Sequence, residues 1–196
     1  MVWDDLGRDA RQQNDRQRDR YIGVYIGILA VILAICSMGG GNATKDSTLR
    51  NIEASDTWSQ FQAKNIRRND VRLQVDMLGL MLESQPGMPA EAKVHIEAKI
   101  AAYREYEKKL TSEPDKKEGI EELSVKAKAL ESARDHAMKR DPYFDYGQAL
   151  LQIAIVLASI AIVSGGSMLL SGSFILGALG TLATVGGFTL AFPLPF

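Results

Sequence analysis

One cysteine, two histidines and six prolines are all that 196 residues hold of these types. With Cys36 alone no disulfide can close within the chain, so its polar part is not a disulfide scaffold. His95 and His136 have no second histidine or cysteine at metal-ligand spacing, although Glu91 lies one helical turn before His95. A single Glu-His pair falls far short of a closed ligand set, which favours structural or surface roles for both. The chain also lacks a phosphate-binding glycine loop, a dinucleotide fingerprint, a Gly-x-Ser-x-Gly elbow and a Cys-His pairing. No cofactor, metal or catalytic residue is therefore expected, and an enzyme is not.

Charge is missing from two long runs. The 23 basic and 24 acidic residues fall in 1–20 and 45–145, leaving 21–44 and 146–196 with none. A soluble surface needs charge every few residues, whereas charge-free runs of Leu, Ile, Val, Ala and Gly belong in a bilayer. The near-zero net charge of −1 thus averages two solvents, and with acid and base interleaved it gives no concentrated basic surface for nucleic acid.

What is present divides into four parts: a charged tail over 1–20, a first transmembrane helix over 21–42, a polar helical hairpin over 43–145 and a transmembrane hairpin over 146–196. Tyr21 to Met38 can cross most of a hydrocarbon core of about 30 Å. Tyr21 and Tyr25 follow Arg16, Arg18 and Arg20, the order of headgroup-level rings after charges in water. Leu33-Ala34-Ile35-Cys36 is reminiscent of a lipoprotein cleavage site, but Ile35 stands where that site needs a small residue, so a retained helix with a buried Cys36 is expected. The charge-free tail divides at Ser164-Gly165-Gly166-Ser167 and Ser171-Gly172-Ser173, which predicts spans near Gln148 to Val163 and Phe174 to Phe192, stopped by Pro193 and Pro195.

Small residues give these helices faces. Gly23 and Gly27 form a GxxxG that Ala30 and Ala34 extend, and Ser173, Gly177 and Thr181 repeat the spacing in the last helix. Such faces let backbones approach closely where lipid supplies no hydrophobic drive, either within a protomer or between protomers. The membrane segments hold no Asp, Glu, Lys, Arg or His, which argues against a pump or ion-coupled transporter.

In the polar part, positions 49, 52, 56, 59, 63, 66, 70, 73, 77, 80 and 84 follow the three-four spacing of a coiled-coil seam, with seven of eleven apolar. A second stripe, Ala54, Trp58, Phe61, Val75 and Leu82, lies beside it and widens the face to more than one neighbour. Gln85-Pro86-Gly87-Met88-Pro89 must turn the chain, and a kink is expected near 112–119, where Asp115 is suited to cap the next helix with Glu118 as the return half of a capping box. Gly39-Gly40-Gly41 could bend the chain as it leaves the bilayer, with Asn42 or Thr44 capping a new helix; Asn42-Ala43-Thr44 is also a glycosylation sequon, relevant only in a secretory pathway. Lys64, Arg67, Arg68 and Arg72 read as a solvated face with local ion pairs.

The segments Ile35-Cys36-Ser37-Met38-Gly39-Gly40-Gly41-Asn42-Ala43-Thr44-Lys45-Asp46, Asn51-Ile52-Glu53-Ala54-Ser55-Asp56-Thr57-Trp58 and Gln62-Ala63-Lys64-Asn65-Ile66-Arg67 resemble a family of small bacterial membrane proteins classed as a domain of unknown function. The resemblance covers most of the chain and implies a bacterial inner membrane, without supplying a reaction or ligand. Arg16, Arg18 and Arg20 favour a cytoplasmic N-terminus and a periplasmic stalk, while Lys139 and Arg140 argue the other way.

The expectation is an all-α membrane protein of three transmembrane helices, with a long antiparallel coiled-coil hairpin between the first and second. It would sit among membrane lipid as a non-enzymatic scaffold, self-associating through the small faces and through a stalk face around Trp58, Phe61, Ile66, Leu73 and Leu80. The alternatives are an accessory subunit of a larger respiratory or other energy-transducing complex and, third, a pore formed by the glycine-rich hairpin.

Overall fold

Helices begin and end where the sequence removes or supplies their end groups. The computed structural model describes residues 2–192, with side chains from Arg16 to Phe192. It comprises α1 (Val2–Ser84), α2 (Ala90–Thr111), α3 (Ile120–Met138), α4 (Asp141–Ser164) and α5 (Ser167–Thr189), with no strand among the described residues. Three helical stretches, within Arg16–Ser84, Ile120–Ser164 and Ser167–Thr189, are long and apolar enough to cross a membrane.

Pro86 and Pro89 stop α1 and start α2, and the Met88 N–H closes the turn on the Gln85 carbonyl at 3.1 Å. Pro142, in the first turn of α4, has no N–H to leave unsatisfied there. That helix ends on Gly165, at φ 69° in the left-handed region, with its N–H on the Ala161 carbonyl. Pro193 and Pro195 lie outside the described residues.

Two glycine clusters behave differently from the sequence expectation. Gly39, Gly40 and Gly41 do not bend the chain but lie inside α1, and Ser171-Gly172-Ser173 lies inside α5, so Gly165 and Gly166 alone turn the hairpin. Glycine mid-helix costs helix propensity, but packing outweighs this where a neighbouring element must come close.

The chain folds as two compact units, Met1–Ser47 with Asp135–Phe196, and Thr48–Arg134. In the first, the described part of α1 packs with α4 and α5 around Leu29, Cys36, Ala43, Phe144, Leu151 and Ala154. In the second, α2 and α3 return alongside α1. Asn51 accepts from Arg134 at 3.2 Å, the Trp58 indole N–H donates to Glu131 Oε1 at 2.9 Å, and Arg72 pairs with Glu107 at 2.5 Å, so the partners run in opposite directions. Its buried side chains are Ala54, Thr57, Val71, Leu110, Ile120, Leu123 and Ala127.

The basic stretch on α1 is spent largely within this unit. Lys64 donates to the Glu118 carbonyl, Arg68 to Asn65 Oδ1 and Arg72 to Glu107, while Arg67 points outward. Pairs this exposed contribute about 0–1 kcal/mol each.

The link between α2 and α3 is held by Glu122, in place of the Asp115–Glu118 box. Its carboxylate accepts the Ser112 hydroxyl at 2.6 Å and the Glu113 N–H at 3.2 Å. Gly119 fits beneath this clasp because any Cβ would meet Glu113 N at 2.6 Å and Ser112 Cα at 2.7 Å. The Ser112 hydrogen bond, first among the causes, lowers the Glu122 pKa from its ordinary value. A lowered folded-state value means the contribution to stability is complete above the unfolded value of about 4.3 and is lost as pH falls through the folded one. Acidification from about pH 5 to about pH 3 should therefore lower the amide-exchange protection of residues 112–119, taken relative to the intrinsic rate at each pH, and Glu122→Gln should remove that step. An unchanged pH step in the variant would assign it to another group.

Candidate functional site

Small side chains make up much of the interior of the first unit, beside Leu29, Phe144 and Leu151. Ala154, Ala158 and Ala161 on α4 and Ser173, Gly177, Gly180, Thr184 and Gly187 on α5 are all buried. At Gly180 an added Cβ would lie 2.8 Å from Leu151 Cγ and 3.1 Å from the Gly147 carbonyl oxygen, which measures how near the two backbones come. Large apolar residues, among them Ile153, Val156, Ile160, Phe174, Ile175, Leu179 and Leu182, point outward.

Hydroxyls and one ring tie α1 to this pair. Ser173 Oγ donates to the Ala154 carbonyl at 2.7 Å, and the Tyr25 hydroxyl donates to the Ser173 carbonyl at 3.0 Å, so one α5 residue bonds to both neighbouring helices. Farther along, the Cys36 thiol donates to the Phe144 carbonyl at 3.3 Å. The Phe144 ring fills a slot that only glycine can line: a Cβ on Gly39 would fall 2.5 Å from its Cε1, and one on Gly187 2.8 Å from the same atom. Phe188 meets this ring edge-on at 5.0 Å between centroids, and Arg140, whose Nε donates to the Gly187 carbonyl, lies 6.0 Å from the ring centre.

The small residues singled out in sequence fall into two groups. Ser173 and Gly177 are buried and Thr181 half-buried within the unit, where a Cβ on Gly177 would come 2.7 Å from the Tyr25 hydroxyl. Gly23, Gly27, Ala30 and Ala34 are exposed together, and a Cβ on either glycine would meet nothing within 4 Å. The buried face of α1 is instead Ile22, Leu29, Cys36, Gly39 and Ala43.

The stalk residues also divide. Trp58 and Phe61 are half-buried, their rings perpendicular at 5.2 Å, whereas Ile66, Leu73 and Leu80 are 61%, 61% and 64% exposed. All eleven positions of the three-four seam are exposed, and the face turned toward α2 and α3 is the second stripe with Thr57 and Val71 added.

Phe144, Gly147, Gly180, Thr184 and Gly187 escaped the sequence reading. Their signal was a four-three-four-three run of small residues, 173, 177, 180, 184 and 187, hidden by a search at four-residue spacing. Nothing in the sequence singled out Phe144 among its aromatic neighbours. Among the described residues no group of three His, Cys, Asp or Glu gathers in space, and His95 and His136 are exposed.

Packing distinguishes the two glycine faces experimentally. Gly177→Leu should destabilise the first unit by about 1–3 kcal/mol through overpacking against Tyr25 and Leu29. Gly27→Leu should leave its unfolding midpoint unchanged in detergent, with the chain dilute enough to be monomeric, and equal losses in both would contradict the open face of α1.

No curated protein and no solved structure matches the chain. One sequence family does, over residues 18–190, a span holding both glycine faces, the Phe144 slot and the whole second unit. The chain belongs to that family, described as a domain of unknown function, DUF4337.

Proposed function

We propose that the chain is a non-enzymatic membrane scaffold that self-associates through α1. The observation that carries this reading is the outward stripe of the second unit. Leu49, Ile52, Ile66, Leu73, Met77 and Leu80, each more than half exposed, recur at coiled-coil spacing on the face that α2 and α3 leave uncovered. They present apolar surface on the order of 600 Å², near the about 800 Å² per partner of a standard interface. Asp56, Ser59 and Asp70 interrupt the stripe, and polar seam residues weaken a coiled coil while fixing its register.

The bilayer placement is supported by the composition of α4 and α5, rich in small residues where they are buried and in large apolar ones where they are exposed, the arrangement expected where lipid is the solvent. Three apolar spans, with Arg16, Arg18 and Arg20 before the first, favour a cytoplasmic N-terminus and a stalk on the opposite side of a bacterial inner membrane. Within that bilayer the open Gly23, Gly27, Ala30 and Ala34 face offers a second contact between copies. A larger complex that uses the same faces for a different chain is the competing reading.

Particle mass in native nanodiscs tests both. Several copies of the 21.5 kDa chain are expected, with Gly27→Leu and the pair Leu73→Lys, Leu80→Lys each shifting the distribution toward monomer. A stoichiometric second protein would make the chain an accessory subunit. A wild-type monomer, or variants of unchanged mass, would overturn self-association through these faces.

A further inference from the structure

A cavity of about 350 Å³ opens beside Arg18 in the first unit, lined on the α1 side by Gln17, Arg18, Tyr21 and Tyr25 and on the α5 side by Leu170 and Phe174. It falls at the lower end of the about 300–1,000 Å³ range of small-ligand sites. Among the described residues that line it none is acidic. Arg18 Nη2 donates to the Ala161 carbonyl at 3.2 Å, which fixes the guanidinium at the end of α4. Its Nε is shielded from solvent and has no acceptor among the described residues. A buried cationic donor without an acceptor is costly, and the Nε edge of a guanidinium is one of the two-donor edges that grip a phosphate. The opposite wall is apolar, with the Phe174 ring against Tyr25 at 4.4 Å between centroids.

We propose that this cavity binds the headgroup phosphate of an anionic phospholipid, Arg18 taking the phosphate and Leu170 and Phe174 the first methylenes of an acyl chain. The chemistry is complementary to a lipid: a cation with a spare donor lies one turn before Tyr21 and two before Tyr25, beside the hydrocarbon of Leu170 and Phe174, which places charge, amphipathic rings and apolar surface in the order found across a leaflet. Arg20, exposed and outside the cavity lining, supplies general attraction to an anionic leaflet without touching the bound headgroup. The inference rests on the membrane placement proposed above and is independent of self-association.

The test uses the full chain in detergent, titrated with dioleoyl phosphatidylglycerol and followed by native mass spectrometry. One lipid per chain should be retained. Arg18→Gln should weaken retention about tenfold or more, and Arg20→Gln by less than about twofold. Leu170→Trp, which fills the cavity without changing charge, should also lose the lipid, and it decides the matter if Arg18→Gln fails to fold by circular dichroism. Dioleoylglycerol, with the same chains and no phosphate, should not be retained, and millimolar inorganic phosphate should not displace the lipid. Equal losses in Arg18→Gln and Arg20→Gln would reduce the site to diffuse surface charge. Displacement by inorganic phosphate would make it a site for a soluble anion. Retention by Leu170→Trp, or no retention by the wild type, would overturn the proposal. A chain released from membranes by alkaline carbonate would overturn the membrane placement as well, whereas one retained there that binds no lipid overturns this inference alone.

Discussion

Close backbone approach at small residues is the constraint on which the first unit depends. With Gly147 against Gly180, and Ser173 between Ala154 and Tyr25, α4 and α5 meet largely through small residues, and Leu151 and Phe144 enter where Gly180 and Gly187 make room. Association there rests on dispersion over closely spaced backbone and on hydroxyl-to-carbonyl hydrogen bonds, not on the removal of large apolar surface from water. That explains where the large apolar residues went. The exposed large apolar residues of α4 and α5 lie on their outer faces, while the bulky groups inside are seated against glycine, Leu29 at Gly177, Leu151 at Gly180 and Phe144 between Gly39 and Gly187.

The second unit solves a different problem. It is polar, narrow and thinly cored, with Ala54, Thr57 and Val71 the buried residues that α1 contributes. Much of its specificity comes from individual polar contacts, Trp58 to Glu131, Lys64 to the Glu118 carbonyl and Arg72 to Glu107, each fixing register more than stability. A helix held by so slim a seam keeps a second stripe of longer apolar residues free on its other side.

Helix breaks were readable from sequence because proline and glycine act locally: Pro86 and Pro89 ended helices wherever the rest of the chain went, and the 112–119 link fell where Pro114 and Gly119 marked it. Which stripe of α1 faced inward was not readable. Both stripes carry large apolar residues, Leu, Ile and Met in the outer one and Trp58, Phe61, Val75 and Leu82 beside Ala54, Thr57 and Val71 in the inner one, so hydrophobicity alone does not choose the inward side. The same ambiguity affected glycine. Gly165 and Gly166 turn the chain, but Gly39 and Gly40 sit within a helix, where the approach of Phe144 makes the lost propensity worthwhile. GxxxG spacing could show that Gly23 and Gly27 form a face but not that this face is open, since that follows from where Ile22 and Leu29 found their partners.

Cys36 brings these features to one atom. Its thiol is fully buried, bonded to the Phe144 carbonyl and close to where a Cβ on Gly147 would stand. Since no other cysteine exists, alkylation of the native chain has a single target, and that target is reachable only when α1 separates from α4. The labelling rate of the unmodified protein is therefore a built-in clock for transient opening of the helix bundle.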